Sequence, residues 1–259
     1  MRATHYTFHT NGRVSNLTVA VCADLHDRVA PAQKAISLLQ DLRPDLIFLP
    51  GDIVENHPEP YGCGFAFLRD LCSIAPCYMS LGNHETGGRH YYRKGTTLLM
   101  NEPNSYRNFI TDIKATGVVL LDQSYVEIKG LIVGGISSHL FRNADEKLDH
   151  HPIPTAFLED FSSRPGFHVL LCHHPEIFPQ IAAHPIELTL CGHAHGGQIR
   201  LFGRGLFAPG QGLFPKWTNG LQELPEHPGH KMLVSRGMAN NTPIPRFFNP
   251  TQIPVIHFV

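Results

Sequence analysis

The decapeptide LTVAVCADLH, residues 17–26, determines how the rest of the chain is interpreted. Its first seven residues are predominantly apolar and include β-branched side chains, and the run ends at the polar Asp24. A short apolar run with a polar boundary is typical of a strand that is buried on both faces. The decapeptide therefore predicts a buried strand, Leu17–Ala23, with polar side chains just beyond its carboxyl end.

The same pattern of a strand followed by polar residues recurs along the first third of the chain. Short strands are predicted over Leu46–Leu49 and Cys77–Leu81, each ending at glycine and polar residues. Between them, Pro31–Leu42 and Phe65–Ile74 have apolar residues at helical spacing. Alternating strands and helices predict a mostly parallel sheet that is covered on both faces.

The second half of the chain is richer in strands. A hairpin is predicted over Ser124–Lys129 and Leu131–Gly135, and further strands are predicted over His168–Cys172, Glu187–Cys191, Met232–Ser235 and Pro254–Val259. The segment 196–230 is rich in Gly, Pro and Phe and predicts no regular element. Because a loop of this length in a compact domain is usually functional, we expect it to cover part of a site.

Composition limits the classes of protein that the chain can represent. With 259 residues, 42% hydrophobic and 17% charged, the chain is neither disordered nor a coiled coil, and 1–259 is expected to form a single domain. The formal net charge of -1 disfavours nucleic acid as the partner. The 18 His residues nearly equal the 21 Lys and Arg, and imidazole is a frequent metal ligand.

Targeting signals and cysteine usage indicate where the protein works. No apolar run reaches the length of a membrane span, and Met1–His5 has no signal-peptide core, so a cytoplasmic location is expected. The cysteines form no C-x-x-C pair and are expected to be reduced, largely buried thiols. They are Cys22, Cys63, Cys72, Cys77, Cys172 and Cys191.

Polar residues that can ligate metals follow five of the predicted strands. They lie in Asp24-Leu25-His26, Gly51-Asp52, Gly82-Asn83-His84, His173-His174 and Gly192-His193-Ala194-His195. Since ligands bind beyond the carboxyl ends of parallel strands, the five segments are expected to converge on one edge. Taken singly, each histidine is more often an ordinary polar residue at a strand end than a metal ligand. The joint placement favours a site.

Seven oxygen and nitrogen donors form the candidate ligand set. They are Asp24, His26, Asp52, Asn83, His173, His193 and His195. A set without thiolates suits Mn, Fe, Zn or Ni, and seven donors exceed the four of a closed structural zinc site. Two metal ions are therefore predicted, and a bridging Asp52 gives each ion four protein ligands.

Other residues near these segments are assigned simpler roles. Cys172 and Cys191 each precede a proposed ligand, so they are expected to point to the opposite face and pack in the core. Ordinary turn roles are expected for Gly51, Gly82 and Gly192, which also let the backbone approach the metals. Surface or outer positions are expected for His90, His139, His150 and His151.

The five segments, in this order, resemble the signature D-x-H, G-D, G-N-H-E, H and G-H-x-H of the calcineurin-like metallophosphoesterases. The resemblance spans residues 17–199. Gly192–Ile199, Ser235-Arg236-Gly237 and Pro245-Arg246-Phe247-Phe248-Asn249 are also similar to a bacterial branch that includes phosphodiesterases and some pyrophosphatases. The resemblance implies a four-layer α/β/β/α sandwich and a binuclear phosphoesterase that acts by in-line attack of a metal-bound hydroxide.

The resemblance also implies roles for individual residues. Asp24, His26 and His195 would hold one metal. The other metal would be held by Asn83, His173 and His193, with Asp52 shared by both ions. His84 would face the substrate phosphate as the catalytic residue, together with Asp52. The order of the motif favours His173 over His174. The family often has the motif G-D-x-x-D, whereas this chain has Glu55 in place of the last Asp. Because that acid is not usually a metal ligand, the difference affects only the orientation of the ligands.

The substrate class remains open among several alternatives. A small-molecule or lipid-like phosphodiester is favoured over a monoester, because no arginine cluster is evident to hold a dianionic phosphate. A lipid-linked or nucleotide-sugar pyrophosphatase and a non-catalytic metal-binding scaffold are the alternatives. Core packing is the favoured role of the apolar residues after the last motif, and a hydrophobic wall beside the metals is the alternative. These residues are Leu201, Phe202, Leu206, Phe207, Leu213, Phe214 and Trp217.

Overall fold

Two six-stranded sheets form the centre of the molecule. The computed structural model describes residues 1–55, 62–86, 103–138, 153–242 and 244–259, with backbone only for 103–106. In spatial order the first sheet contains β1 (Arg2–Phe8), β16 (Gln252–Phe258), β2 (Leu17–Val21), β3 (Leu46–Leu49), β4 (Cys77–Met79) and β5 (Val119–Leu120). Strands β2 to β5 are parallel, and β16 runs antiparallel to β2.

The second sheet has a parallel centre and antiparallel edges. In spatial order it contains β14 (Gly220–Glu223), β15 (Lys231–Val234), β9 (Leu188–Cys191), β8 (Phe167–Cys172), β7 (Leu131–Ile136) and β6 (Ser124–Ile128). The predicted hairpin is confirmed as the antiparallel pair β6–β7. Because β15, β9, β8 and β7 are parallel, their carboxyl ends share one edge.

Helices pack on the outer face of each sheet. The first sheet is covered by α1 (Val29–Leu42), α2 (Gly64–Ile74) and α3 (Pro103–Ala115), and the second by α4 (Thr155–Ser163) and α5 (Phe178–Ile181). This arrangement confirms the four-layer α/β/β/α sandwich. The first sheet is mostly parallel and covered on both faces, as predicted, with helices on one face and the second sheet on the other.

Strand β3 shows why the inner strands are apolar on both faces. Leu46 and Phe48 pack between the sheets with Val169 and Leu171 of β8. The alternate residues, Ile47 and Leu49, point the other way and pack beneath the helices. A strand in this position has no polar face, so it appears in the sequence as a continuous apolar run.

Most predicted elements are confirmed with small shifts at their ends. Helix α1 begins at Val29, two residues before the predicted start, and β4 ends at Met79, before the backbone turns toward the polar edge. The sequence predicted no element for β1, α3 or α4. None of the described helices is long and apolar enough to cross a membrane. The predictions for His90, His139, His150 and His151 concern residues outside those that the structure describes.

The cysteines occupy the predicted environment. All six are free thiols, and four of them, Cys22, Cys77, Cys172 and Cys191, are buried. Cys172 packs beneath α4 and α5, and Cys191 packs with Phe178 and Met232. Both therefore point away from the adjacent polar edge, as predicted.

The segment 196–230 forms two short hairpins and β14. Strand β10 (Arg200–Leu201) pairs with β11 (Arg204–Gly205), and β12 (Phe207–Ala208) pairs with β13 (Gly212–Leu213). Core packing was the wrong role for five of its seven apolar residues, since Leu201, Phe202, Phe207, Leu213 and Phe214 are exposed.

Polar contacts hold this segment in place instead. The buried Arg200 guanidinium donates to the carbonyls of Gly196 and Gly203 and to the Thr218 hydroxyl. The Gln211 amide pairs with the main chain of Trp217. These hydrogen bonds fix the turns, so the apolar side chains are free to face solvent.

Candidate metal centre

The predicted site residues lie where the carboxyl edges of the two sheets meet. The first sheet supplies the loops after β2, β3 and β4, and the second supplies the loops after β8 and β9. His173 of the second sheet places its Nε2 3.0 Å from Asp52 Oδ2 of the first. His193 donates its backbone N–H to Asp24 Oδ1 over 2.9 Å. The two edges therefore form one polar centre.

Glu85 fixes the loop after β3 onto the loop after β4. Its buried carboxylate accepts backbone N–H groups from Asp52 at 2.9 Å, Ile53 at 2.6 Å, Val54 at 3.1 Å and Gly82 at 2.8 Å. Burial, together with the charge of Asp52, raises the pKa of Glu85 to about 7. A side chain that satisfies four main-chain donors holds both loops in one geometry.

Asp27 has a similar role on the neighbouring loop. Its carboxylate accepts the backbone N–H groups of Glu55 at 2.8 Å and Gly64 at 2.5 Å. The loop after β2 is thereby tied to the one after β3. Neither Asp27 nor Glu85 was assigned a role from the sequence, although Glu85 completes the G-N-H-E motif.

The backbone at the centre adopts a conformation that is costly for most residues. Five of the seven candidate ligands have φ between +46° and +65°. They are Asp24, His26, Asp52, His193 and His195. A left-handed residue other than glycine costs roughly 1–2 kcal/mol, although Asp and His tolerate it better than bulky residues. Strain of this kind concentrates at functional sites.

Two glycines allow the loops to approach one another. Gly51 has φ of +93°, and a Cβ there would lie 2.5 Å from the Gly82 nitrogen and 2.8 Å from His173 Nδ1. A Cβ on Gly82 would lie 2.1 Å from Asp52 Oδ1. Both positions therefore exclude any side chain, which is a stronger requirement than an ordinary turn.

Asp24, His26 and His195 form the first metal-competent group, with ligand atoms within 4.8 Å of one another. His26 Nε2 lies 3.3 Å from His195 Nε2, and His195 Nε2 lies 3.8 Å from Asp24 Oδ1. Burial, reinforced by the charges of His26 and Arg246, holds the pKa of His195 well below its usual range. A neutral imidazole of this kind is ready to ligate a cation.

Asp52, His173 and His193 form the second group. His173 Nδ1 donates to the Pro50 carbonyl over 2.7 Å, which directs Nε2 toward Asp52. Burial lowers the pKa of His173, but the charges of Asp52 and Asp24 outweigh it and raise the value to about 10. Burial, with the charges of His174 and His173, holds the pKa of His193 well below its usual range.

Asp52 Oδ2 lies between the two groups. It is 3.0 Å from His173 Nε2 and 3.9 Å from both His26 Nε2 and His84 Nε2. Its other oxygen, Oδ1, accepts the backbone N–H of His84 over 2.9 Å. Burial alone would raise the pKa of Asp52, but the charges of His173 and His84 hold it well below its usual range.

Two buried oxygens support a fit to cations. Asp24 Oδ2 and Asn83 Oδ1 accept no hydrogen bond from the residues that the structure describes. An unsatisfied buried oxygen is costly, and a cation that it ligates would remove that cost. Oxygen and imidazole donors in these groups suit the transition metals expected from the sequence.

Glu55 connects the first group to His84. Its carboxylate lies 2.9 Å from His26 Nδ1 and 2.7 Å from His84 Nδ1. Burial opposes ionisation of Glu55, but these hydrogen bonds lower its pKa to about 2. Burial alone would lower the pKa of His84, but Asp52 and Glu55 outweigh it and raise the pKa to about 9. Glu55 therefore fixes the orientation of both imidazole rings.

Two further residues contact the centre from the carboxyl-terminal part of the chain. Arg246 Nη2 lies 3.1 Å from His195 Nδ1, and Asn249 donates to the His195 carbonyl over 2.7 Å. Both lie in the Pro245–Asn249 stretch noted in the sequence, but spacing alone gave them no role.

His174 occupies a different group from His173. It lies with Glu176 and His193 in a third cluster whose ligand atoms are within 4.8 Å of one another. The structure thus places His173 beside Asp52 and His174 beside Glu176.

Curated metallophosphoesterases and a phosphodiesterase are similar in sequence to this chain. YkuE, an uncharacterized metallophosphoesterase of Bacillus subtilis (strain 168), is 29% identical over 64% of this chain and 52% of its own. Phosphodiesterase YaeI of Escherichia coli (strain K12) is 28% identical over 69% of this chain and 60% of its own. The chain spans about half the length of YkuE and of Cj0846, an uncharacterized metallophosphoesterase of Campylobacter jejuni.

Solved structures share the fold. TT1561 of Thermus thermophilus superposes with a TM-score of 0.52 at 12% identity, covering 86% of this chain and 91% of its own. The model of the calcineurin-like phosphoesterase family matches residues 17–197, which is well over half of the sequence and includes every candidate ligand. The chain belongs to the calcineurin-like phosphoesterase family.

Proposed function

We propose that the protein is a phosphoester hydrolase that uses two transition-metal ions and prefers diesters. The observation that carries this proposal is the position of Asp52 Oδ2, which faces His26 of the first group and His173 of the second. A carboxylate in this position suits a bridge between two cations. We further propose that residues 1–259 act as one domain, because β16 lies between β1 and β2 in a single sheet.

The residues divide the work of metal binding between the two sites. Asp24, His26 and His195 would hold one ion, and the other would be held by Asn83, His173 and His193. Asp52 would contribute to both. When bound, Mn, Fe or Zn ions supply the Lewis acidity that activates water and neutralises phosphate oxygens.

His84 is the residue that this geometry best assigns to the reacting phosphate. It is partly exposed, and Glu55 accepts from its Nδ1, while its Nε2 lies 3.9 Å from Asp52 Oδ2. A cationic His84 can donate a hydrogen bond or a proton to the leaving oxygen. Glu55 maintains both its charge and its orientation.

The preference for diesters rests on the surroundings of Arg246. Its two terminal nitrogens donate to the carbonyls of Arg236 and Ala239 at 2.7 Å and 2.5 Å. Burial lowers the pKa of Arg246 to about 10. A guanidinium committed to the main chain offers no free fork for the second charge of a monoester.

Turnover of two model substrates tests the proposal. With saturating Mn²⁺, we expect bis-p-nitrophenyl phosphate to be hydrolysed with a higher kcat/KM than p-nitrophenyl phosphate. A monoester preference of roughly tenfold or more would overturn the diester assignment. No turnover by a protein that holds two ions would identify a non-catalytic metal-binding scaffold.

A further inference from the structure

Three exposed phenylalanines adopt a backbone conformation that is unfavourable for bulky residues. Phe202, Phe214 and Phe248 have φ of 49°, 53° and 52°. Glycine and asparagine reach this left-handed region at much lower cost. Phe202 is fully exposed, and Phe214 and Phe248 are 79% and 81% exposed, so none gains burial in return. Among the residues that the structure describes, no contact explains why these positions carry aromatic side chains.

The three phenylalanines belong to turns that are hydrogen-bonded together. Phe202 lies in the β10–β11 turn, and Arg200 of β10 donates its backbone N–H to the Phe247 carbonyl over 3.0 Å. Phe214 donates to the Leu206 carbonyl at 3.0 Å. These turns carry a set of exposed apolar side chains, which we name the aromatic rim. The aromatic rim comprises Leu201, Phe202, Leu213, Phe214, Phe247 and Phe248.

The aromatic rim adjoins the metal centre. Leu206 donates its backbone N–H to the carbonyl of Gly197 over 3.1 Å, two residues after the candidate ligand His195. Asn249, which follows Phe248, donates to the His195 carbonyl. Whatever covers the rim therefore lies beside the loop that carries His195.

Basic side chains accompany the rim at the protein surface. Residues 198–259 contain six Lys and Arg and two acidic residues, and of the six, Arg200 and Arg246 are tied to main-chain carbonyls. Arg204 and Lys216 are exposed and adjoin the rim in sequence. Proteins that bind an anionic lipid surface combine apolar side chains such as Phe and Leu with basic Lys and Arg.

We propose that the aromatic rim docks the protein on an anionic lipid surface and brings the metal centre to that interface. Its apolar side chains project from separate turns, which suits insertion into a fluid medium. A folded protein partner would require matching pockets for each of them. Single-stranded nucleic acid would use the aromatic rings for stacking but not Leu201 and Leu213.

Vesicle flotation of the protein as purified tests the proposal, because flotation measures binding and does not depend on hydrolysis. We expect the wild type to float with vesicles of phosphatidylcholine and phosphatidylglycerol. The double variant Phe202→Asn/Phe214→Asn is expected to bind at least roughly tenfold more weakly, because two inserting side chains are lost. Because asparagine tolerates the left-handed backbone, the Tm of the double variant should not fall.

Two further variants complete the test. Val119→Asn, on the exposed edge strand β5, is a matched control that should bind like the wild type. Arg204→Gln/Lys216→Gln should lose the preference for phosphatidylglycerol over pure phosphatidylcholine. Solution hydrolysis of bis-p-nitrophenyl phosphate by the Phe202→Asn/Phe214→Asn variant should be unchanged, which separates docking from catalysis.

Several results would overturn the proposal. One is the absence of wild-type binding to anionic vesicles, and another is equal binding by the Phe202→Asn/Phe214→Asn variant. Phe-dependent binding of a single-stranded oligonucleotide that is tighter than vesicle binding would assign the rim to nucleic acid instead.

Discussion

The two sheets contribute different chemistry to the candidate metal centre. The first sheet supplies the carboxylates Asp24 and Asp52, whereas the second supplies only imidazoles among the candidate ligands, as in His173 and His195. The first group and the second group each take members from both sheets. The complete donor set of either group is therefore assembled only when the two sheets pack together.

The histidines of the two groups are also supported differently. His26 is backed by the carboxylate of Glu55, whereas His173 is backed by the neutral carbonyl of Pro50. A carboxylate behind a ligand histidine strengthens its basicity more than a carbonyl does. The first group is therefore expected to depend on a residue outside its own ligands.

Removing the charge of Asp52 should have the largest effect. Because Asp52 Oδ2 faces both groups, Asp52→Asn should weaken both metal sites and lower kcat/KM by more than the roughly 100-fold typical of outer residues. Metal analysis and steady-state kinetics measure both effects. The exposed Asp41→Asn is the matched control. If one of the two sites kept its full metal affinity, Asp52 would not be a bridging ligand.

Removing His84 should affect the chemistry and spare the metals. His84→Ala should retain two ions, while kcat on a diester with a poor leaving group falls by roughly 10²- to 10⁴-fold. An activated nitrophenyl leaving group needs less assistance and should show a smaller loss. The exposed His9→Ala serves as the control. Loss of metal together with activity would make His84 a ligand.

Replacing Glu55 should change the metal affinity of the first group and leave that of the second group unchanged. Glu55→Gln removes the charge behind His26, so the affinity of the first site should fall by roughly 10- to 100-fold, while the second site is unchanged. A stepwise metal titration by calorimetry resolves the two sites. Equal weakening of both would show that the support of His26 and His173 does not differ as described.

The smallest effect is expected from a change at the opposite edge of the sandwich, where Glu187 contributes to stability. Glu187, just before β9, accepts from the backbone and Nδ1 of His168 at 2.9 Å each and pairs with Arg13. Burial opposes ionisation of Glu187, but these partners lower its pKa to about 2. Its stabilising contribution is therefore complete above the ordinary pKa near 4.5 and is lost as the pH falls toward 2.

Glu187→Gln should lower the free energy of unfolding by about 1–2 kcal/mol at pH 7. The difference from the wild type should shrink between pH 5 and pH 2, as denaturant unfolding at several pH values would measure. Metal stoichiometry should not change, because Glu187 lies at the amino end of β9. A pH-independent difference would contradict the assigned ionic contribution.

Local sequence patterns predicted the elements whose role is local. Strand β3 was predicted with its observed bounds because its apolar run is sharply bounded, and the D-x-H and G-H-x-H spacings marked residues at strand ends. Glu85 and Asp27 could not be assigned, because each satisfies backbone donors about 30 residues away in sequence. Apolar composition also predicted burial of Phe202, since turn geometry is not visible in composition.

A crystal structure with anomalous diffraction data at the manganese edge is the most direct test of the bridging role of Asp52. The account predicts two anomalous peaks per chain, one beside Asp24, His26 and His195 and the other beside Asn83, His173 and His193. Both peaks should contact the Asp52 carboxylate. A single peak, or two peaks of which only one contacts Asp52, would contradict the account.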